Sequence, residues 1–252
     1  MKNLLTYIII SFFLVSCQDS KSIIWEENFE GTELNESFWN YQLGDGCPDL
    51  CGWGNNERQI YTRENAKLQN GNLIITATKK GDVYKSTRIT TKDKIEFQYG
   101  TIEVKAKLPT GQGLWPAVWM LGSDIDEIGW PDCGEIDILE YVGKEPHTIY
   151  TSLHTRDSHG NTINSKKTVN YSIEEGFHIY KCIWTAEKIE FYLDDQLVYT
   201  FFPEIKNDQT WPFNKPFYII INLAIGGNFG GPEVDDSIFP KEFEIDYIKI
   251  WQ

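Results

Sequence analysis

Gly100-Thr101-Ile102-Glu103-Val104-Lys105-Ala106-Lys107-Leu108 alternates with a period of two: Ile102, Val104, Ala106 and Leu108 point one way, Glu103, Lys105 and Lys107 the other. A strand written this way buries one face and wets the other. Outward from it, short apolar runs recur between Gly, Asn, Asp and Pro punctuation, at 73–78, 114–121, 135–142, 148–154, 179–184, 189–193, 217–225 and 243–251. No helical period of useful length intervenes, and the two helix-like patches, 172–176 and 204–210, are short enough to belong to loops. The pattern predicts an all-β chain folded as a two-sheet β-sandwich. No linker, repeat or low-complexity stretch follows residue 22, so 23–252 is expected to form one domain.

Composition narrows the function. A formal charge of −14 repels phosphate backbones and anionic headgroups, which argues against nucleic-acid binding. With 41% hydrophobic and 24% charged residues, the chain is neither disordered nor a multi-span membrane protein. Nine Trp, 13 Tyr and 14 Phe are many for its 252 residues; they suit an aromatic-rich core, and equally stacking on sugar rings.

The start of the chain has its own signature. Met1 and Lys2 precede an apolar run over 4–15, too short to span a bilayer, which reads as an export signal. Its end, Leu14-Val15-Ser16-Cys17, resembles a bacterial lipobox; an ordinary secretory signal is the alternative. On the lipobox reading, 1–16 is a lipoprotein signal peptide, Cys17 is the lipidated residue, and 17–22 is a short tether. The expectation is a monomer in the cell envelope, at the outer membrane or cell surface, touching the membrane through its lipid anchor only. An oxidising compartment leaves Cys47, Cys51, Cys133 and Cys182 with three full pairings, in which Cys47 and Cys51 are spaced to close a tight loop.

Gly134-Glu135-Ile136-Asp137-Ile138-Leu139-Glu140-Tyr141 sets three acids in one predicted strand. Regular alternation puts Glu135 and Asp137 on one face and sends Glu140 into the core beside Ile136 and Ile138, where an unpaired carboxylate is costly. A β-bulge between Asp137 and Glu140 resolves the conflict by returning Glu140 to the Glu135 face. Three carboxylates on one face repel, which raises at least one pKa and suits acid catalysis. Trp115, Trp119 and Trp130 precede them, an aromatic wall of the kind that grips a sugar polymer. An acidic, solvent-facing strand is the plainer alternative.

Around these acids the chain resembles glycoside hydrolase family 16, and within it the laminarinase-like bacterial endo-β-1,3-glucanases. The resemblance rests on Cys133 to Gly143, whose E-x-D-x-x-E pattern is the bulged form, and on Gly111-Gln112-Gly113-Leu114-Trp115-Pro116-Ala117-Val118-Trp119-Met120-Leu121, Gly52-Trp53-Gly54-Asn55-Asn56-Glu57 and Asn222-Leu223-Ala224-Ile225-Gly226-Gly227-Asn228. It implies a concanavalin-like jelly roll with a substrate cleft across its concave sheet, and retaining, endo-acting cleavage of laminarin-type β-1,3-glucan. It assigns Glu135 as nucleophile, Glu140 as acid/base and Asp137 as the helper that hydrogen-bonds and tunes the nucleophile, with no cofactor for catalysis. It places Asn55, Arg88, Trp115, Trp119, Trp130, His154, Asn228 and Phe229 at sugar-binding positions; Phe229 stands where similar enzymes carry Trp. Plainer roles for three of these are a strand-face ion pair for Arg88, a core position for Trp119 and a structural histidine for His154. The resemblance further implies a structural calcium held at Asn28, Gly71 and Asp246, Asn28 standing where a Glu is usual. Rival readings are a same-fold hydrolase of mixed-linkage β-1,3-1,4-glucan or an algal galactan, and a non-catalytic surface glycan-binding protein.

Overall fold

The computed structural model describes residues 21–252; the export segment and Cys17 lie outside the described residues. Two sheets face each other across one apolar core. The sheet that carries the acids has eight strands, in the order Ser165–Val169, Thr148–His154, Glu135–Tyr141, Leu114–Gly122, Phe217–Ile225, Arg88–Thr90 and Asn40–Tyr41, with Glu96–Phe97 pairing on Phe217–Ile225. The opposite, ten-stranded sheet runs Gln196–Phe201, Ile189–Leu193, His178–Trp184, Gly100–Lys107, Lys241–Trp251, Asn72–Lys80, Val83–Ser86 and Gln59–Tyr61, with Ile23–Glu27 and Ala66–Gln69 on its flanks. All named pairings are antiparallel except Gln59–Tyr61 with Val83–Ser86. The all-β sandwich expected from the alternation is therefore the fold found, and 172–176 and 204–210 are turns.

Gly100–Lys107 behaves as its sequence says: Ile102, Val104 and Ala106 are fully buried in the main core, while Glu103, Lys105 and Lys107 remain partly exposed. Across the core, Leu114, Val118 and Met120 project from Leu114–Gly122, and Phe217, Ile219, Ile221, Leu223 and Ile225 from its neighbour. Burying a side chain of this size stabilises by about 1.5–3 kcal/mol, so the interlayer dominates the packing energy.

The acidic strand is bulged where parity requires. Asp137 pairs with Ser152 and Glu140 with Tyr150, so three steps on one strand match two on the other. The other neighbour records the same extra residue, Val118 facing Leu139 and Trp119 facing Asp137. Ile138 is the insertion; it and Leu139 both enter the core, and Glu140 emerges on the face of Glu135. Gly134 opens the strand at φ 77°, and a Cβ there would lie 2.8 Å from Pro212 Cγ, so glycine alone fits this entry.

Of the cysteines, Cys47 and Cys51 form a disulfide, whereas Cys133 and Cys182 are free and buried in separate clusters.

Candidate active site

Glu135, Asp137 and Glu140 line one surface of the eight-stranded sheet, and each is held by a different neighbour. Trp130 Nε1 donates to Glu135 Oε2 at 2.8 Å, and Trp115 Nε1 donates to Glu140 Oε1 at 3.0 Å. His154, opposite Glu135 in register, sets Nε2 at 3.1 Å from Asp137 Oδ2 and 3.6 Å from Glu135 Oε1. The imidazole thus bridges the first two acids, and Glu140 has only an indole. These positions follow from the sheet: Trp115 and Trp119 sit four residues apart on the strand paired to the acids, and Trp130 comes from the loop that feeds Glu135.

Burial governs the electrostatics. Removal from water, then the charge of Asp137, pushes Glu135 up to about 8, with His154 and the Trp130 N–H opposing. Burial likewise pushes Asp137 up to about 8. Glu140 is raised well above the usual carboxylate range, first by burial and then by the charge of Asp137, with Glu135 adding to it. Protons therefore leave unequally. Glu140 faces the charges of two acids, opposed by the charge of His154 and by one N–H, that of Trp115, and is the carboxyl that keeps its proton longest. Glu135, Asp137 and His154 each bring a donor atom within 4.8 Å of the others, the one such grouping of metal-capable side chains among the described residues.

The other expected sugar-binding residues converge here. Arg88 is 7% exposed, its guanidinium lying 4.6 Å from the Trp53 ring centroid and 4.9 Å from that of Trp119. Its Nε donates to Gln42 Oε1, and it makes no ion pair with a described residue, so the strand-face ion pair does not describe it. Trp119 is half-buried, and its Nε1 donates to Asn222 Oδ1 at 2.7 Å. Trp130 is 46% exposed and offers a free face. Asn228 and Phe229 lie on the helical turn Gly227–Gly230; the Asn228 amide donates to the Asn55 carbonyl at 2.7 Å, and Asn56 Nδ2 donates to Asn228 Oδ1 at 2.8 Å. Phe229 meets Trp115 edge-on at 5.6 Å and Tyr150 at 4.9 Å.

Trp53, Glu57, Tyr61, Tyr150 and Asn222 are also tied to the cleft; Trp53, Glu57 and Asn222 stand in the motifs that carry the resemblance, but none of the five is among the expected site residues. Asn222 carries a usable signal: it is the one amide side chain in the strand Phe217–Ile225, which is buried along its length, and a buried amide needs partners.

The residues expected to bind calcium lie on the other sheet. Lys241–Trp251 is flanked on one edge by Asn72–Lys80 up to Ile245 and by Ile23–Glu27 from Ile248 onward, so Asp246 sits at the junction between them. Asp246 Oδ2 is 2.6 Å from Lys105 Nζ, and Glu30 Oε1 lies 3.5 Å from where a Cβ on Gly71 would be. The carboxylate beside Gly71 is Glu30, which is exposed, as Asn28 is. An all-oxygen donor set fits a hard cation.

Comparison with known proteins agrees with this geometry. The profile of glycosyl hydrolases family 16 matches residues 54–249. The chain is 63% identical to a laminarinase of known structure from Flavobacterium sp. UMI-01, with a TM-score of 0.90 over 92% of this chain and 100% of that one. It is 36% identical to a beta-glucanase of Rhodothermus marinus over 91% of this chain and 85% of the relative, and 34% identical to a glucan endo-1,3-beta-glucosidase of Cryptopygus antarcticus over 99% and 98%. The chain belongs to glycosyl hydrolases family 16.

Proposed function

We propose that the protein is a retaining endo-β-1,3-glucanase in which Glu135 is the nucleophile, Glu140 the general acid and then base, and Asp137 their partner. The observation that carries this reading is the bulge at Ile138, which sets two differently held carboxyls on one face under an aromatic wall. Glu135, stabilised as an anion by the Trp130 N–H and His154, attacks the anomeric carbon of an internal glucosyl unit. Glu140, kept protonated by burial and its acidic neighbours, gives its proton to the departing glycosidic oxygen. The resulting glycosyl ester on Glu135 is then opened by water, whose proton Glu140 takes up. Arg88 between two indoles, with the faces of Trp119 and Trp130, supplies stacking and hydrogen bonds for sugar rings. The names of the relatives support glucan as the substrate.

The test is product analysis after separate incubation of residues 18–252 with linear β-1,3-glucan, mixed-linkage glucan, agarose and carrageenan, followed by proton NMR of the first product. Gluco-oligosaccharides of several lengths from β-1,3-glucan, β-configured at first appearance, are expected. Cleavage of a galactan alone overturns the substrate, α-product first overturns the mechanism, and silence on all four points to glycan binding without turnover.

Two further parts belong to the same reading. Calcium would be held by Asp246, the Gly71 carbonyl and Asn28, with the Glu30 carboxylate beside Gly71 adding charge, where it would tie the Ile23–Glu27 edge to the sheet; Lys105 competes for Asp246. Chelation is expected to lower the melting temperature and leave the pH profile of turnover unchanged. The lipid anchor is tested by labelled palmitate incorporation in a bacterial host, lost in Cys17→Ala.

A further inference from the structure

Glu57 is a buried carboxyl, 9% exposed, that the proposed chemistry does not use. Its Oε2 accepts from Gln59 Nε2 at 2.6 Å and from the Tyr61 hydroxyl at 3.0 Å, while Oε1 accepts from Asn55 Nδ2 at 3.4 Å. The network continues: Asn222 Nδ2 donates to the Tyr61 oxygen at 3.2 Å, and Asn222 Oδ1 accepts the Trp119 N–H at 2.7 Å. Gln59 Oε1, the other end of that amide, accepts the Ile225 backbone N–H at 2.7 Å. An ionised carboxylate can only accept hydrogen bonds. Each amide in the network therefore has one permitted orientation, read outward from Glu57. Burial raises the Glu57 carboxyl and the Arg88 charge lowers it, so the cation held between Trp53 and Trp119 favours the anion that does this orienting.

We infer that Glu57 is a positioning residue that fixes the hydrogen-bond polarity of the glucan cleft, turning Asn55 Nδ2 inward so that Oδ1 is the atom offered to a sugar hydroxyl. The same carboxylate, through Tyr61 and Asn222, secures the Trp119 indole from behind. Asn55 is joined to the cleft independently, since its backbone carbonyl holds the Asn228 amide. A neutral amide at position 57 would keep the bonds to Gln59 and Tyr61 with its oxygen, but present an NH2 to Asn55 Nδ2. Asn55 would then flip and face the sugar with a donor.

This inference rests on the glucanase reading, and a polarity swap separates the two. Glu57→Gln, Asn55→Asp and the double variant are compared on β-1,3-gluco-oligosaccharides. Glu57→Gln breaks the polarity by flipping Asn55, and Asn55→Asp breaks it by repulsion between two carboxylates. In the double variant the carboxylate now at position 55 accepts from the amide now at position 57 and again offers the sugar an oxygen. Each single change is expected to raise KM about tenfold with kcat within about twofold, and the double variant to return KM to within about threefold of the parent. A double variant no better than the worse single, or unchanged KM in Glu57→Gln, overturns the inference. Where Glu57→Gln alone melts too low to assay, Asn55→Asp against the double variant gives the same comparison. A parent protein that cleaves no β-1,3-glucan would instead overturn the glucanase reading.

Discussion

Gly100–Lys107 and Glu135–Tyr141 are both interior antiparallel strands carrying three charged side chains, yet they treat charge in opposite ways. In Gly100–Lys107 every charge meets its opposite on a neighbouring strand: Glu103 with Lys181, Lys105 with Asp246 and Lys107 with Glu244. No residue is inserted and alternation holds throughout. Glu135–Tyr141 contains an insertion, its charges are all acidic, and their nearest companions are indoles and an imidazole rather than Lys or Arg. A strand built for stability neutralises locally. The acidic strand forgoes that and obtains shifted carboxyl groups instead.

The sharpest way to break this contrast is Glu135→Gln. Turnover of β-1,3-glucan is expected to fall by about 10³-fold or more, with circular dichroism unchanged; retention of more than a few per cent of activity would sink the nucleophile assignment. Next is deletion of Ile138, which cuts the Glu135-to-Glu140 spacing from five residues to four, so regular alternation keeps Glu140 on the cleft face of a straightened strand; turnover should fall by about 10²-fold as Glu140 is displaced, and the lost core side chain should cost about 2–5 kcal/mol in denaturant unfolding.

Glu140→Gln sharpens the stability side. Because the folded-state carboxyl titrates well above its ordinary value of 4.5, the folded chain holds that proton more tightly than the unfolded chain. Stability from this group is fully present below 4.5 and is lost as pH rises toward the folded value. Calorimetry should therefore show a variant that melts higher than the parent, with the gap wider at alkaline than at acidic pH and worth about 1–3 kcal/mol at most.

The two indoles provide a finer test. Trp130→Phe removes a donor to the Glu135 anion, so the acid limb of the kcat/KM profile moves to higher pH. Trp115→Phe removes the donor to Glu140, so the alkaline limb moves to higher pH instead. Each shift should be about one pH unit. The smallest effect belongs to the neutralised strand: Lys107→Met should change stability by about 0.5 kcal/mol and leave turnover untouched.

The same contrast explains what the sequence discloses. Long apolar runs such as Phe217–Ile225 are legible to the residue, and the conflict over Glu140 discloses the bulge from parity alone. Gln59–Tyr61, Val83–Ser86, Ser165–Val169 and Gln196–Phe201 escape the pattern because they are short and lie at or near sheet edges, where half the residues stay exposed and the apolar signal fades. The Glu57 network is illegible for a different reason. Its members, Glu57, Tyr61, Asn222 and Trp119, are spread over more than 160 positions and meet only through tertiary structure. Glu30, beside Gly71, is likewise hidden by a turn that local pattern does not specify.

The indole N–H groups of the cleft have a use beyond chemistry. Trp130 reports on Glu135, Trp115 on Glu140, and Trp119 on the amide that leads back to Glu57. Three nitrogen-labelled indole resonances would thus follow three separate proton or hydrogen-bond states in one spectrum, without a foreign probe in the cleft. A titration watched this way would assign each ionisation to its own carboxyl, a distinction that rate profiles merge into one curve.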